Sequence, residues 1–115
     1  MATELDTTIV FTSRMHEMAA FYAAGLELTD PQEEPRHIGY QVGTMYLGFD
    51  QVDLPTSGPS AVTLWFRVDD LENVFNRFVR LGAAVIYPPQ EKPWGDRLAC
   101  VRDFDGNRIG LSQRR

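Results

Sequence analysis

A chain of 115 residues, 43% of them hydrophobic, has the length of one compact domain and enough apolar side chains to build a core. Its net charge of -5, from 11 basic and 16 acidic residues, argues against a nucleic-acid partner, which needs a clustered basic face, but is compatible with a cationic small ligand. The single cysteine, Cys100, excludes an intrachain disulfide; no run approaches membrane-spanning length and the N-terminal stretch has no apolar leader core, so no membrane partner and a reducing, cytoplasmic location are expected.

Asp6–Thr12 is rich in β-branched residues and is expected as the first strand. Ser13 is a candidate N-cap for a helix over Arg14–Ala24. Met15, Met18, Ala19, Tyr22 and Leu26 give it one apolar face, and Gly25 is its expected stop. Leu26–Thr29 reads as a short strand and Asp30–Pro35 as a polar loop. His37–Val42 and Thr44–Phe49 read as two strands joined tightly at Gly43. Asp50–Ser60, with Pro55, Ser57, Gly58 and Pro59, reads as a linker.

The pattern then restarts. Ala61–Val68 is expected as a strand. Asp69 is expected to cap a helix, with Glu72 completing a capping-box-like pair. Leu71, Val74, Phe75, Phe78 and Leu81 form its apolar face, and Gly82 ends it. Ala84–Tyr87 reads as a strand broken by Pro88 and Pro89. The chain ends in a β-hairpin. Leu98, Cys100 and Val101 lead in, Asp105-Gly106 or Gly106-Asn107 supplies the bend, and Ile109 and Leu111 alternate with Arg108, Gly110 and Ser112 on the way out. Cys100, in this alternation, is expected to be a small buried apolar residue.

A shift of 56 residues overlays Ser13 on Asp69, Met15 on Leu71, Met18 on Val74, Ala19 on Phe75 and Tyr22 on Phe78. The expected fold class is therefore α+β, with two strand–helix–strand–strand–strand modules. They cover about 4–52 and about 60–113, with the linker over about 50–60.

Pro93-Trp94-Gly95-Asp96-Arg97, followed by Asp103-Phe104-Asp105-Gly106-Asn107-Arg108-Ile109-Gly110-Leu111, resembles the C-terminal signature of the vicinal oxygen chelate superfamily. That signature is a W-G-x-R element, then D-x-D-G-N, then a short I-x-L strand. Glyoxalases, extradiol dioxygenases and bleomycin-resistance proteins belong to the superfamily. Phe21-Tyr22-Ala23-Ala24-Gly25-Leu26 is similar to its F-Y-x-x-x-L phrase, although Glu27 stands where a glycine is usual. The resemblance implies two βαβββ modules paired into a curved mixed sheet around a cleft, with helices outside, and a homodimer.

The resemblance also implies four places for the ligands of a divalent ion. They fall at Thr7, at Thr63, at Gly110 and at Tyr46 or Gly48. Hydroxyls are weak donors beside imidazole and carboxylate, and glycine has no side chain. No metal and no cofactor are therefore expected. His16 and His37 share no ligand spacing and read as a solvated helix residue and a strand-edge residue; Glu33 and Glu34 read as solvated loop residues. No catalytic residues are identified.

The residues in phase with those four places would face the family's cleft: Thr7, Ile9 and Phe11; Tyr46 and Gly48; Thr63, Trp65 and Arg67; Arg108, Gly110 and Ser112. Trp94 and Arg97 lie in a loop that either covers the cleft mouth or anchors the hairpin. Such a lining suits a flat aromatic or amphipathic organic ligand. Three functions compete: a metal-free binding protein that sequesters a drug or metabolite, as in antibiotic resistance; a metal-dependent lyase, isomerase or dioxygenase with unusual ligands; and an interaction domain without a ligand. The unsuitable ligand places favour the first.

Overall fold

The computed structural model describes residues 5–55 and 62–113. The chain divides into two compact units, Met1–Thr56 and Ser57–Arg115. Each has the order strand, helix, three strands, which gives an α+β fold of two βαβββ modules.

Module one contains β1 (Thr7–Thr12), α1 (Met15–Leu26), β2 (Gln32–Glu34), β3 (His37–Val42) and β4 (Met45–Gln51). Its four strands lie in the order β1-β4-β3-β2, with β1 parallel to β4 and the other pairs antiparallel. Met15, Met18 and Tyr22 recur on one side of α1 and are buried, as are Leu47 and Phe49 on β4. The rings of Tyr22 and Phe49 meet at 5.0 Å.

Four details of this module depart from expectation. Ser13 does not cap α1. The N-cap is Arg14, which makes no side-chain cap bond; the amide of Met15 donates instead to Gln51 Oε1 at 3.0 Å. The helix also runs through Gly25, which is buried, and stops at Glu27, whose φ of 56° is left-handed. The strand expected over Leu26–Thr29 is absent, and β2 forms from Gln32–Glu34 inside the expected loop. All three β2 residues are exposed, as a polar edge strand can be. Finally, β4 continues through Asp50 and Gln51, which the sequence places in a linker. Of that linker, residues 56–60 lie outside the described residues, as does Ala61 of the next expected strand.

Module two contains β5 (Thr63–Arg67), α2 (Leu71–Arg80), β6 (Ala84–Glu91), β7 (Arg97–Arg102) and β8 (Arg108–Gln113). The strand order is β5-β8-β7-β6, with β5 parallel to β8. Leu71, Val74 and Phe78 of α2 are buried, as are Ala99, Val101, Ile109 and Leu111 of the sheet. The cap of α2 is Asp70 rather than Asp69: its Oδ1 accepts from the amide of Asn73 at 3.2 Å. Glu72 does not complete a capping box but pairs with Arg97 at 2.5 Å.

Pro88 and Pro89 do not break β6. The strand passes through both, with register shifts between Val85 and Tyr87 and between Tyr87 and Gln90. It lies at the sheet edge, where a missing N–H donor is tolerated. The final hairpin turns at Gly106, with φ of 88°. Asp103 organises the turn: its Oδ1 accepts from the amides of Asp105 and Asn107, both at 2.9 Å, and its Oδ2 from Asn107 Nδ2.

Candidate functional site

Each sheet carries its helix on one face, and strand alternation sends every second side chain to the other. In module one the register pairs Thr7 with Tyr46, Ile9 with Gly48 and Phe11 with Asp50 across β1 and β4. Across β3 and β4 it pairs His37 with Asp50 and Gly39 with Gly48. These residues therefore share the helix-free face, and Thr7, Ile9, Phe11, Tyr46 and Gly48 come together there.

The glycine pair makes a floor for two aromatic rings. A Cβ on Gly39 would fall 1.8 Å from the Tyr46 hydroxyl, so the phenol lies directly over that residue. A Cβ on Gly48 would fall 2.7 Å from His37 Cε1 and 2.8 Å from Ile9 Cδ1. The His37 and Tyr46 rings are 5.7 Å apart and only 12° from parallel. His37 Nε2 lies 2.6 Å from the Tyr46 hydroxyl, and His37 Nδ1 lies 2.5 Å from Asp50 Oδ1. Burial, then the charges of Glu34 and Asp50, push the Tyr46 phenol above its ordinary pKa, so it keeps its proton.

Beside His37 and Asp50 lies an open groove of about 500 Å³, lined by Phe11, Glu34, Arg36 and Val52 among others. The Arg36 guanidinium is turned to Asp53, at 2.9 Å, and to the carbonyl of Gln51. Phe11 is 57% exposed. His37 opens β3 as expected from the sequence, but its ring is engaged on both sides by Asp50 and Tyr46, and neither Asp50 nor the groove is evident from the sequence. The signal was available: a tight turn at Gly43-Thr44 pairs Val42 with Met45, and the same register carried outward pairs His37 with Asp50. The strand had only to be extended by two residues.

In module two the register pairs Thr63 with Arg108, Trp65 with Gly110 and Arg67 with Ser112. All six share the helix-free face of that sheet, together with buried Cys100, which is paired with Gly110. Burial pushes the Cys100 thiol up, against the opposing pull of Arg108 and Arg102. Trp65 lies across Gly110: a Cβ there would fall 2.4 Å from the indole. Trp94 stands 67% exposed in the turn before β7. Arg97 is on the opposite side of its sheet, the helix side, where it meets Glu72; it does not join the other candidates.

These placements test the chelate that the resemblance implies. Tyr46 is engaged by His37, Gly110 is covered by Trp65, and Thr7 and Thr63 offer neutral hydroxyls. Among the described residues, no three His, Cys, Asp or Glu side chains gather to hold an ion. The residues at these places do not fit a divalent metal.

A sequence model described as the Glyoxalase/Bleomycin resistance protein/Dioxygenase superfamily matches residues 4–111, and the chain belongs to that superfamily. A glyoxalase-related enzyme from Fulvimarina pelagi superposes with a TM-score of 0.85 at 20% identity, covering 98% of this chain and 89% of the other. A glyoxalase/bleomycin resistance protein/dioxygenase family enzyme from Burkholderia phytofirmans PsJN gives 0.83 at 22% identity, covering 96% and 98%. These likenesses show the fold. An uncharacterized protein of Mycobacterium bovis is 37% identical over 60 residues, 51% of this chain and 40% of its own length, so the match spans well under half of that relative. Among the described residues no helix is long and apolar enough to cross a membrane.

Proposed function

We propose that this superfamily member binds a flat aromatic or amphipathic organic molecule, a drug or a metabolite, and sequesters it without a catalytic metal. The observation that carries this reading is Trp65 lying across Gly110. The place at which the resemblance implies a metal-binding carboxylate has no side chain here, and an indole occupies the space above it. Trp65 is 49% exposed, so the covering ring also offers a stacking face. Phe11 supplies a second exposed ring in module one. In this reading the chain is a cytoplasmic homodimer with no nucleic-acid partner.

Elemental analysis of protein purified without chelators tests the metal, and a fluorescence screen of aromatic ligands tests the binding. No stoichiometric transition metal is expected. Trp65→Ala is expected to weaken a bound aromatic ligand by about tenfold, since a stacked ring contributes on the order of 1 kcal/mol beyond its area. His16→Ala, on the exposed side of α1, is expected to leave binding unchanged. One equivalent of metal per chain, lost on mutating Thr7 or Thr63, would instead favour a metal-dependent lyase, isomerase or dioxygenase. Sedimentation at micromolar concentration tests the dimer.

A further inference from the structure

We propose that Tyr46, His37 and Asp50 form a proton relay whose working end is the Tyr46 oxygen, and that it takes the proton of an aromatic hydroxyl presented to the helix-free face of module one. This rests on the ligand-binding reading above and narrows the ligand to a chemical class, a phenol.

The direction of the relay follows from hydrogen-bonding capacity. A carboxylate only accepts, so the Nδ1 that faces Asp50 at 2.5 Å carries a proton. In a neutral imidazole Nε2 is then the acceptor. With the ring neutral, the Tyr46 hydroxyl, 2.6 Å away, donates to it. The remaining lone pairs of the Tyr46 oxygen are left as acceptors, so the group recognises a donor such as a hydroxyl. Burial and the neighbouring carboxylates keep the phenol protonated, which means Tyr46 is no standing phenolate. It can take a proton only by passing its own to His37.

Two observations argue that this is more than packing. The His37 and Asp50 side chains are 21% and 35% exposed, so solvent could satisfy them without the chain of bonds. The duplicated scaffold also folds without it. By register, the places of Tyr46, His37 and Asp50 are held in module two by Arg108, Leu98 and Ser112. The Phe11 ring borders the same groove as His37 and Asp50, and a flat ligand can rest against it.

The step balances within these groups. The ligand O–H bond breaks and its proton joins the Tyr46 oxygen. The original Tyr46 O–H bond breaks and that proton joins His37 Nε2. The products are a bound phenolate, a neutral Tyr46 and an imidazolium held by the Asp50 carboxylate; nothing is oxidised or reduced. Tyr46 touches the ligand, while His37 and Asp50 are positioning residues behind it.

The test uses 4-nitrophenol and 4-nitroanisole, which share a flat ring and differ in having or lacking the hydroxyl proton. With the full chain, 4-nitrophenol is expected to bind about tenfold more tightly, the effect of one hydrogen bond, and to shift its bound absorbance toward the phenolate. Tyr46→Phe is expected to bring the two affinities together. His37→Gln still accepts from Tyr46 but takes no proton, so it is expected to keep the preference and lose the spectral shift. Nitrogen-15 NMR of His37 needs no variant: the neutral ring is expected to be protonated at Nδ1 and bare at Nε2. Equal affinities in the unmodified chain, a preference that survives Tyr46→Phe, or a neutral ring protonated at Nε2 overturns the relay and leaves the flat-ligand reading standing. Failure of both probes to bind overturns the relay and counts against that reading as well.

Discussion

Gln51 and Gln113 hold equivalent places at the ends of β4 and β8, and each closes the first turn of its own module's helix. Gln51 Oε1 accepts from the Met15 amide at 3.0 Å, and Gln113 Oε1 accepts from the Leu71 amide at 2.7 Å. The Gln51 side chain also donates to the carbonyls of Ser13 and Val52. The first N–H groups of a helix have no partner within it, so a side chain from a distant strand acts here as a cap. Gln51→Ala and Gln113→Ala are each expected to lower stability by about 1 kcal/mol, the usual effect of losing a cap. Urea denaturation checks this, and Gln51→Ala, with more bonds to lose, should have the larger effect.

This cap explains part of what the sequence hides. Ser13 is a good local cap, but the choice was made by a residue 36 positions beyond Met15, which no local pattern announces. The apolar faces of both helices were legible because a 3.6-residue period needs no tertiary information: Met15, Met18, Tyr22, Leu71, Val74 and Phe78 are all buried. Strand ends were less legible. Gln32–Glu34 has no apolar residue because it lies at a sheet edge, and Pro88 and Pro89 survive in β6 for the same reason. On the helix-free faces, alternation alone brought together Thr7, Ile9, Phe11, Tyr46 and Gly48 in one module and Thr63, Trp65, Arg67, Arg108, Gly110 and Ser112 in the other. Asp50 was missed because an acidic residue before a Pro- and Gly-containing stretch looks like the start of a linker. His37 was then left without its partner.

Glu27 ends α1 with a φ of 56°, a conformation in which a Cβ crowds the backbone. Its amide bonds to the carbonyl of Ala23, which holds the helix stop in this geometry. Glu27→Gly is expected to raise stability by about 0.5–1 kcal/mol through relief of this strain, partly offset by the freer unfolded chain. Glu27→Val, β-branched, should lower it. Thermal unfolding of the two variants beside the parent separates the signs.

Gly110 and Trp65 are coupled by contact. With a Cβ only 2.4 Å from the indole, Gly110→Ala must displace the Trp65 ring and is expected to lower stability by about 1–3 kcal/mol. Trp65→Ala removes the obstacle, so in the double variant the Gly110→Ala change should be much less harmful. A double-mutant cycle measures the coupling, expected at about 1 kcal/mol or more. Purely additive effects would show that the indole moves away freely.

Alkaline pH should weaken the fold. Burial is the first cause holding Tyr40, Tyr46, Tyr87 and Cys100 above their ordinary pKa values. Glu33 adds to it at Tyr40, Glu34 and then Asp50 at Tyr46, and Cys100 at Tyr87, while Arg108 and Arg102 oppose it at Cys100. The unfolded chain releases these protons from the ordinary values upward, 9.0 for the thiol and 10.0 for the phenols, and the folded chain holds them longer. Above those values the unfolded state binds fewer protons, so stability falls as pH rises; below them these groups contribute no pH dependence. The denaturant midpoint is therefore expected to be independent of these groups up to about pH 9 and to fall above it. Cys100→Ala removes the earliest of the four, and the fall should then begin nearer the phenol range. A midpoint that stayed level or rose to about pH 11 would contradict the assigned direction of all four shifts.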